Sequence, residues 1–277
     1  MENNYINRLK INMFEQGYST SYIDRCCSYA TSLISQNLPV IFDKKHLNQI
    51  LMLDTLKLDC YHEFEIYTKG KSRMILAPSK PLKLRQRWIL DEILNKLPTN
   101  QCCHGFVQQR SIKTNAEMHV NKTQVLCMDI HNFFPSININ QVFEVFHCVG
   151  YTSDVAQALA QLCTHNAILP QGAPTSPTLA NIIFSPIDQQ ILNAISTKEI
   201  TYTRYADDLI FSSSHELDFL IPLVSEIIST NGFEINSNKT HLMKNPYRKM
   251  ITGLIVTDTV KIPKYYKRKF NQELFYC

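Results

Sequence analysis

An α+β fold is what this 277-residue chain predicts, on three observations. Short runs of alternating apolar and polar residues end in turn signals, as in "FEIYTKGKSRMILAP". Longer stretches between them carry the three-to-four-residue apolar spacing of helices. The glycine-rich loops of a nucleotide-binding parallel sheet are missing from a chain with only seven glycines. Short strands joined by tight turns pair antiparallel, so the expected architecture is helices on one face of a mainly antiparallel sheet. With 44% hydrophobic residues the chain can bury a substantial core.

The elements follow in order. Residues 1–60 are mostly helical in pattern, and the stretch after them reads as a hairpin turning at Lys69-Gly70. "QVLCMDI", 124–130, is a short apolar strand ending in Asp129. Residues 139–149 and 153–164 suit helices, and "SPTLANIIF" opens another, with Ser176 as N-cap and Pro177 at its first position. Pro186 should kink or end that helix, because it has no N–H to donate and crowds the preceding turn. "TYTRYADDLIFSS" reads as a strand folding back on itself near Ala206 and Asp207. A helix near 216–230 is expected next, then short strands around "GFEIN", "THLMK", "RKMITGLIV" and "TVKI".

Several classes are disfavoured. No run of about eighteen apolar residues occurs and "MENNYINRLK" lacks the apolar centre of a signal peptide, so no membrane partner is expected and the cytoplasm is the expected location. The nine cysteines include Cys26-Cys27 and Cys102-Cys103 but no C-x-x-C, which favours free thiols over zinc or disulfides. The net charge of +4 is modest, but its distribution is uneven. Lys69, Lys71, Arg73, Lys80, Lys83, Arg85 and Arg87 fall together without an acidic neighbour. A second cluster, "KIPKYYKRK", places Lys261, Lys264, Lys267, Arg268 and Lys269 around Tyr265 and Tyr266. One such run is ordinary solvated surface; two, one with stacking aromatics, point to a polyanionic partner.

Asp207 and Asp208 sit side by side within an otherwise apolar strand pair. Asp suits turns, and "ADD" alone is compatible with an ordinary bend. If the Asp129 strand lies alongside, however, three carboxylates meet at one sheet edge. Such a cluster needs cations, and an all-oxygen ligand set favours magnesium or manganese.

"MDIHNFFPSI" (128–137), "QGAPTSPTLAN" (171–181) and "YADD" (205–208), in that order, resemble the palm of bacterial reverse transcriptases. "KGKSRMILAPSKPLK" and "HGFVQQRSI" upstream, and "GFEINSNKT" and "ITGLIV" downstream, extend the resemblance over residues 60–256. Within the family the chain most resembles retron enzymes: "NAEMH" (115–119) fits their N-A-x-x-H element, and "ITG" (251–253) nearly fits V-T-G, with Ile251 in place of valine.

The resemblance implies a right-hand polymerase fold. It assigns 1–60 to an N-terminal helical region, 61–123 mainly to fingers, 124–256 mainly to a palm with the catalytic carboxylates, and 257–277 to the start of a short basic thumb, minimal or completed by another chain or the nucleic acid. Two Mg²⁺ ions, or Mn²⁺ in their place, would be held by Asp129, Asp207, Asp208 and the carbonyl of Ile130. Arg73 and Lys69 would contact the triphosphate of the incoming deoxynucleotide, a planar guanidinium suiting phosphate. Phe134 would lie under the sugar and exclude a 2′-hydroxyl, with Gln171 and Gly172 close to the nucleotide. Lys239 matches a basic residue of the sixth block. Asn115, His119, Lys264, Tyr265, Lys267 and Arg268 are the expected RNA contacts. Retron enzymes use one structured non-coding RNA as template and primer, make a branched RNA–DNA product, and often act beside a toxic effector protein in phage defence. Two other readings compete: a defence-associated or group II intron-like enzyme with different priming, and an RNA-binding scaffold that has lost turnover.

Overall fold

The computed structural model describes residues 2–52, 61–68, 71–244 and 249–276. The chain begins with three helices, α1 (Glu2–Glu15), α2 (Thr20–Ser35) and α3 (Lys44–Leu51). Strands β1 (Tyr61–Thr68) and β2 (Lys71–Pro78) lead to helices α4 (Lys80–Glu92) and α5 (Ile112–Glu117). Strand β3 (Gln124–Asp129) is followed by α6 (Ile139–Cys148), α7 (Ser153–Cys163) and α8 (Ser176–Ala194). Then come β4 (Thr201–Tyr205), β5 (Asp208–Ser213), α9 (Leu220–Thr230), β6 (His241–Met243), β7 (Lys249–Ile251), β8 (Leu254–Val256), β9 (Val260–Lys261) and α10 (Lys264–Tyr276). This is the α+β content that the sequence pattern predicts. Two compact units result: Met1–Pro98 with Ile137–Leu179, and Thr99–Ser136 with Ala180–Cys277.

In the first unit, side-chain caps start the helices where the sequence supplies them. Asp43 accepts from the His46 N–H at 2.7 Å to open α3, and Asn138 and Gln141 form a reciprocal box at α6. β1 and β2 pair antiparallel from Tyr61↔Pro78 to Thr68↔Lys71. That register is the one expected for a turn at Lys69-Gly70, residues that lie outside those described. Burial of Ile23, Leu33, Ile41, Leu47, Ile89, Val155 and Leu159 makes the core, each worth about 1.5–3 kcal/mol.

The second unit is built on a four-stranded sheet of order β4-β5-β3-β6, antiparallel at every pairing. Alternation along β4 turns Tyr202 and Arg204 to the α8 side, where both bond Asp188. Thr203 points to the opposite face and bonds His119, just beyond α5. On that face Ala116, Val125 and Ile210 pack with Ile251, Leu254 and Val256 of the β7–β8 hairpin. Both faces of this sheet are therefore covered, not one as expected. The β7–β8 turn has positive φ at Thr252 (44°) and Gly253 (83°), the pattern of a two-residue primed hairpin turn, which explains the glycine in "ITG".

Four further expectations are corrected or narrowed. Ser176 does not cap α8: it is the first helical residue, and its hydroxyl donates to the Pro170 carbonyl at 2.6 Å. Of the kink or end expected at Pro186, the end is excluded: α8 runs on to Ala194 with Phe184, Ile187 and Ile191 buried around it. Core burial outweighs one lost hydrogen bond. "GFEIN" forms no strand; it contributes one bridge, Ile235 to Ile130. The helix expected from 216 starts at Leu220.

Candidate active site

β3 and β5 lie side by side with Asp129 directly opposite Asp208. Opposed residues share a sheet face, so both belong to the face of Val125, Cys127 and Ile210. The Cys127 thiol is pushed up to about 12 by burial, with the Asp208 carboxylate adding to it. Asp207 occupies the two-residue turn between β4 and β5, and its carbonyl accepts the Ile130 N–H at 2.9 Å. The backbone beyond Asp129 is thus tied to the backbone of Asp207. On its other side the Asp129 carbonyl accepts from the Asn236 N–H, and the His131 N–H donates to the Glu234 carbonyl. These bonds hold "GFEINSNK" against the end of β3.

They also deliver Lys239. Its ammonium donates to both Asp129 oxygens, at 2.8 and 2.6 Å, while the Asp129 side chain is only 7% exposed. A buried carboxylate needs a positive partner, and here the lysine supplies it. The positive partner at this edge is thus a lysine ammonium. Among the described residues no three His, Cys, Asp or Glu side chains are gathered tightly enough to hold a metal ion. The backbone brings the three aspartates together, but the Asp129 carboxylate closes on the ammonium instead. An oxygen-only donor set whose carboxylate already holds a cation fits Mg²⁺ or Mn²⁺.

The two adjacent phenylalanines separate cleanly. Phe133 is 4% exposed, packed edge-on against Phe184 and tilted against Phe233. Phe134 is only half-buried, touching Phe133 alone among the described ring pairs. It is the ring left available to a ligand.

In the first unit, the Gln171 carbonyl accepts from the Leu76 N–H of β2 at 2.9 Å. Gly172, with φ of 135°, makes this approach feasible: a Cβ there would lie 2.6 Å from the Leu76 carbonyl oxygen. The glycine's close approach is to a strand of its own unit. β2 also carries Arg73, opposite Ile66. The Arg73 side chain and all of Lys69 lie outside the described residues.

A family model for reverse transcriptases (RNA-dependent DNA polymerases) matches residues 57–262. The chain belongs to that family. It is 37% identical to the retron Ec86 reverse transcriptase of Escherichia coli over 222 residues, 75% of this chain and 68% of that protein. It is 34% identical to the retron Mx65 reverse transcriptase of Myxococcus xanthus over 70% of this chain and 50% of that protein. The matches thus span about half to two thirds of these relatives' length. A structure of telomerase from Candida albicans superposes with a TM-score of 0.55 at 12% identity, covering 86% of this chain and 50% of that one. That likeness supports the right-hand polymerase fold.

For this retron-type reverse transcriptase the expected RNA contacts divide. Asn115 and His119 are both 0% exposed, so neither can meet RNA as folded; the expectation that they do is corrected. The His119 ring bonds Ser212 and Thr203 at 2.7 Å each, stapling the end of α5 to β5 and β4. Burial chiefly, with the charges of His104 and Lys122, lowers its pKa to about 3, so it is a neutral structural link. Lys264, Tyr265, Lys267 and Arg268 are exposed along α10. The Tyr265 and Tyr266 rings lie 4.1 Å apart, and Lys264, Tyr265 and Arg268 help line an open groove with Lys261 and Met250. No helix among the described residues is long and apolar enough to cross a membrane.

Sequence alone assigns no role to Arg204, Asn181 or Asp188, and marks Lys239 only as a basic residue of the sixth block. One signal was available. An arginine in the middle of an apolar strand raises the same question as the aspartates three residues later.

Proposed function

We propose that this chain is the polymerase of a retron, copying a structured non-coding RNA into DNA that remains joined to it as a branched product. The observation that carries the reading is Asp129 facing Asp208 across β3–β5, with Asp207 in the adjoining turn, in a chain of the reverse transcriptase family. Asp129, Asp207 and Asp208, with the Ile130 carbonyl, would hold two Mg²⁺ ions, or Mn²⁺. Bound there, such ions acidify an attacking hydroxyl and neutralise the charge of a leaving pyrophosphate.

The chain's own residues supply the rest. Phe134 presents a half-buried ring against the nucleotide sugar and leaves no room for a 2′-hydroxyl. Arg73 and Lys69 grip the triphosphate of the dNTP, with Gln171, held to β2 through Gly172, beside it. The α10 lysines and Arg268 neutralise RNA phosphates, and Tyr265 and Tyr266 offer stacking surface. An effector protein acting with the RNA–DNA in anti-phage defence, in the cytoplasm, completes the reading.

The test is to purify the protein together with the transcript of its native flanking DNA. The bound nucleic acid is then treated separately with RNase, DNase and a 2′-5′ debranching enzyme. A short DNA that shifts on debranching is expected. DNA attached to a protein side chain, or no nucleic acid, overturns the retron reading. Asp207→Asn should abolish primer extension on RNA while leaving RNA binding intact, since it removes a cation ligand and no basic surface. Undiminished extension refutes the ligand assignment.

A further inference from the structure

The turn that carries Asp207 is held in an unfavourable shape. Ala206 has φ of 57°, in the left-handed region, at the first position of a two-residue hairpin turn where glycine is the usual residue. An L-residue there costs roughly 1–2 kcal/mol and persists only when its surroundings hold it. Those surroundings are specific. A Cβ on the buried Gly105 would lie 2.5 Å from the Ala206 nitrogen, so the Gly105 backbone sits directly behind the turn. The Gly105 segment is fixed in turn to β4: the Arg204 N–H donates to the Cys102 carbonyl at 2.8 Å, and the His104 N–H to the Arg204 carbonyl at 2.7 Å.

The Arg204 side chain closes this loop. It is 0% exposed. Its Nε and Nη2 are spent on the Asp188 carboxylate at 2.8–3.1 Å, while Tyr202 Oη donates to the same carboxylate at 2.8 Å. Its Nη1 donates to two acceptors, Asn181 Oδ1 at 2.9 Å and the Ala206 carbonyl at 3.2 Å. Asn181 Nδ2 donates onward to the Gly105 carbonyl at 2.8 Å. The guanidinium lies 4.7 Å from the Phe184 ring centroid, walled from water. A buried ion pair of this kind is weak evidence for stability, because an apolar pair of equal volume serves as well. What an apolar pair lacks is a directed donor aimed at a turn carbonyl.

We propose that Arg204 and Asn181 form a brace that sets the position of the Ala206-Asp207 turn, making Arg204 a positioning residue for Asp207. Asp188 orients the guanidinium, Nη1 holds the turn by the Ala206 carbonyl, and Asn181 locks both to the Gly105 backbone. The proposal rests on the reading of Asp207 as a cation ligand. It goes beyond it by assigning control of that ligand to residues that touch neither cation nor nucleotide.

The experiment compares full-length variants for melting temperature, for kcat and dNTP KM in primer extension, and for Mn²⁺ binding by electron paramagnetic resonance. Arg204 itself is a poor probe, because its loss strands a buried Asp188. Asn181→Ala leaves the ion pair intact and removes the link to Gly105; Gly105→Ala pushes on the turn from behind without touching the ion pair. Each should lower kcat by about tenfold to a hundredfold, the usual effect of an ångström-scale misplacement, with dNTP KM unchanged and Mn²⁺ binding weakened. Val224→Ala, a core truncation in α9, is the control: it should lower the melting temperature and leave kcat unchanged. Parental kcat in both Asn181→Ala and Gly105→Ala overturns the brace, as does a kcat loss in Val224→Ala matching its loss of stability. If Asp207→Asn is inactive and the brace variants are parental, only the brace fails. If Asp207→Asn is active, the ligand reading fails first.

Discussion

Replacing Lys239 with methionine should destabilise the metal-free protein and make it bind metal more tightly. The lysine donates two hydrogen bonds to the Asp129 carboxylate, at 2.8 and 2.6 Å. Methionine keeps the stem and deletes the charge. For a fully buried pair, removing one partner costs about 3–5 kcal/mol. Lys239 is 42% exposed, whereas Asp129 is 7% exposed, so water reaches one side of the stranded carboxylate and screens it. About 1–2 kcal/mol is the appropriate expectation after that discount. At about 2–4 °C per kcal/mol for a chain somewhat smaller than this one, the melting temperature in EDTA should fall by roughly 2–8 °C. A divalent cation at Asp129 must displace the ammonium in the parent but not in Lys239→Met. The same 1–2 kcal/mol should therefore appear as a fivefold to thirtyfold lower Mn²⁺ concentration for half-maximal thermal stabilisation, by the usual factor of about ten per 1.4 kcal/mol. Differential scanning calorimetry across a Mn²⁺ titration reads both quantities. Equal melting temperatures in EDTA, or equal Mn²⁺ dependence, would refute the view that Lys239 stands where a cation belongs.

Phe134→Ala should reduce discrimination against ribonucleotides by about tenfold or more in single-nucleotide incorporation; unchanged discrimination would place the sugar gate elsewhere. Gly172→Ala should raise the dNTP KM about tenfold, because the new Cβ meets the Leu76 carbonyl at 2.6 Å and breaks the Leu76–Gln171 bond; an unaltered KM would detach that loop from nucleotide binding. His119 predicts an acid limb in stability. Its folded pKa of about 3 lies below the ordinary 6.5, so the unfolded chain takes up the proton first and stability falls as pH drops from about 6.5 towards 3. The loss at pH 5 is about 2 kcal/mol. His119→Gln should flatten this limb between pH 7 and 5, leaving the smaller contribution of His104, whose pKa burial also lowers; an equal acid slope in parent and variant would count against it.

Sequence alone determined the family and the α+β class and named the candidate carboxylates, because each is written in local order. Short apolar runs mark β3, β4 and β5, and "YADD" between two of them reads as a short turn joining paired strands. Periodicity also distinguished helices from strands over most of the chain. It failed where burial overrode local chemistry. Pro186 is carried through α8 because the residues around it are core, and "NAEMH" looked like a nucleic-acid contact although α5 turns Asn115 and His119 inward. Which side of a short helix faces solvent is decided by what packs against it, and for α5 that is a hairpin more than a hundred residues away. Only the tertiary structure placed Lys239 on Asp129 and Arg204 behind Asp207, for the same reason. Partners separated by 110 residues in one case, and linked through α8 and the Gly105 segment in the other, leave no mark in any local pattern, and a buried charge names its partner only when the chain has folded around it.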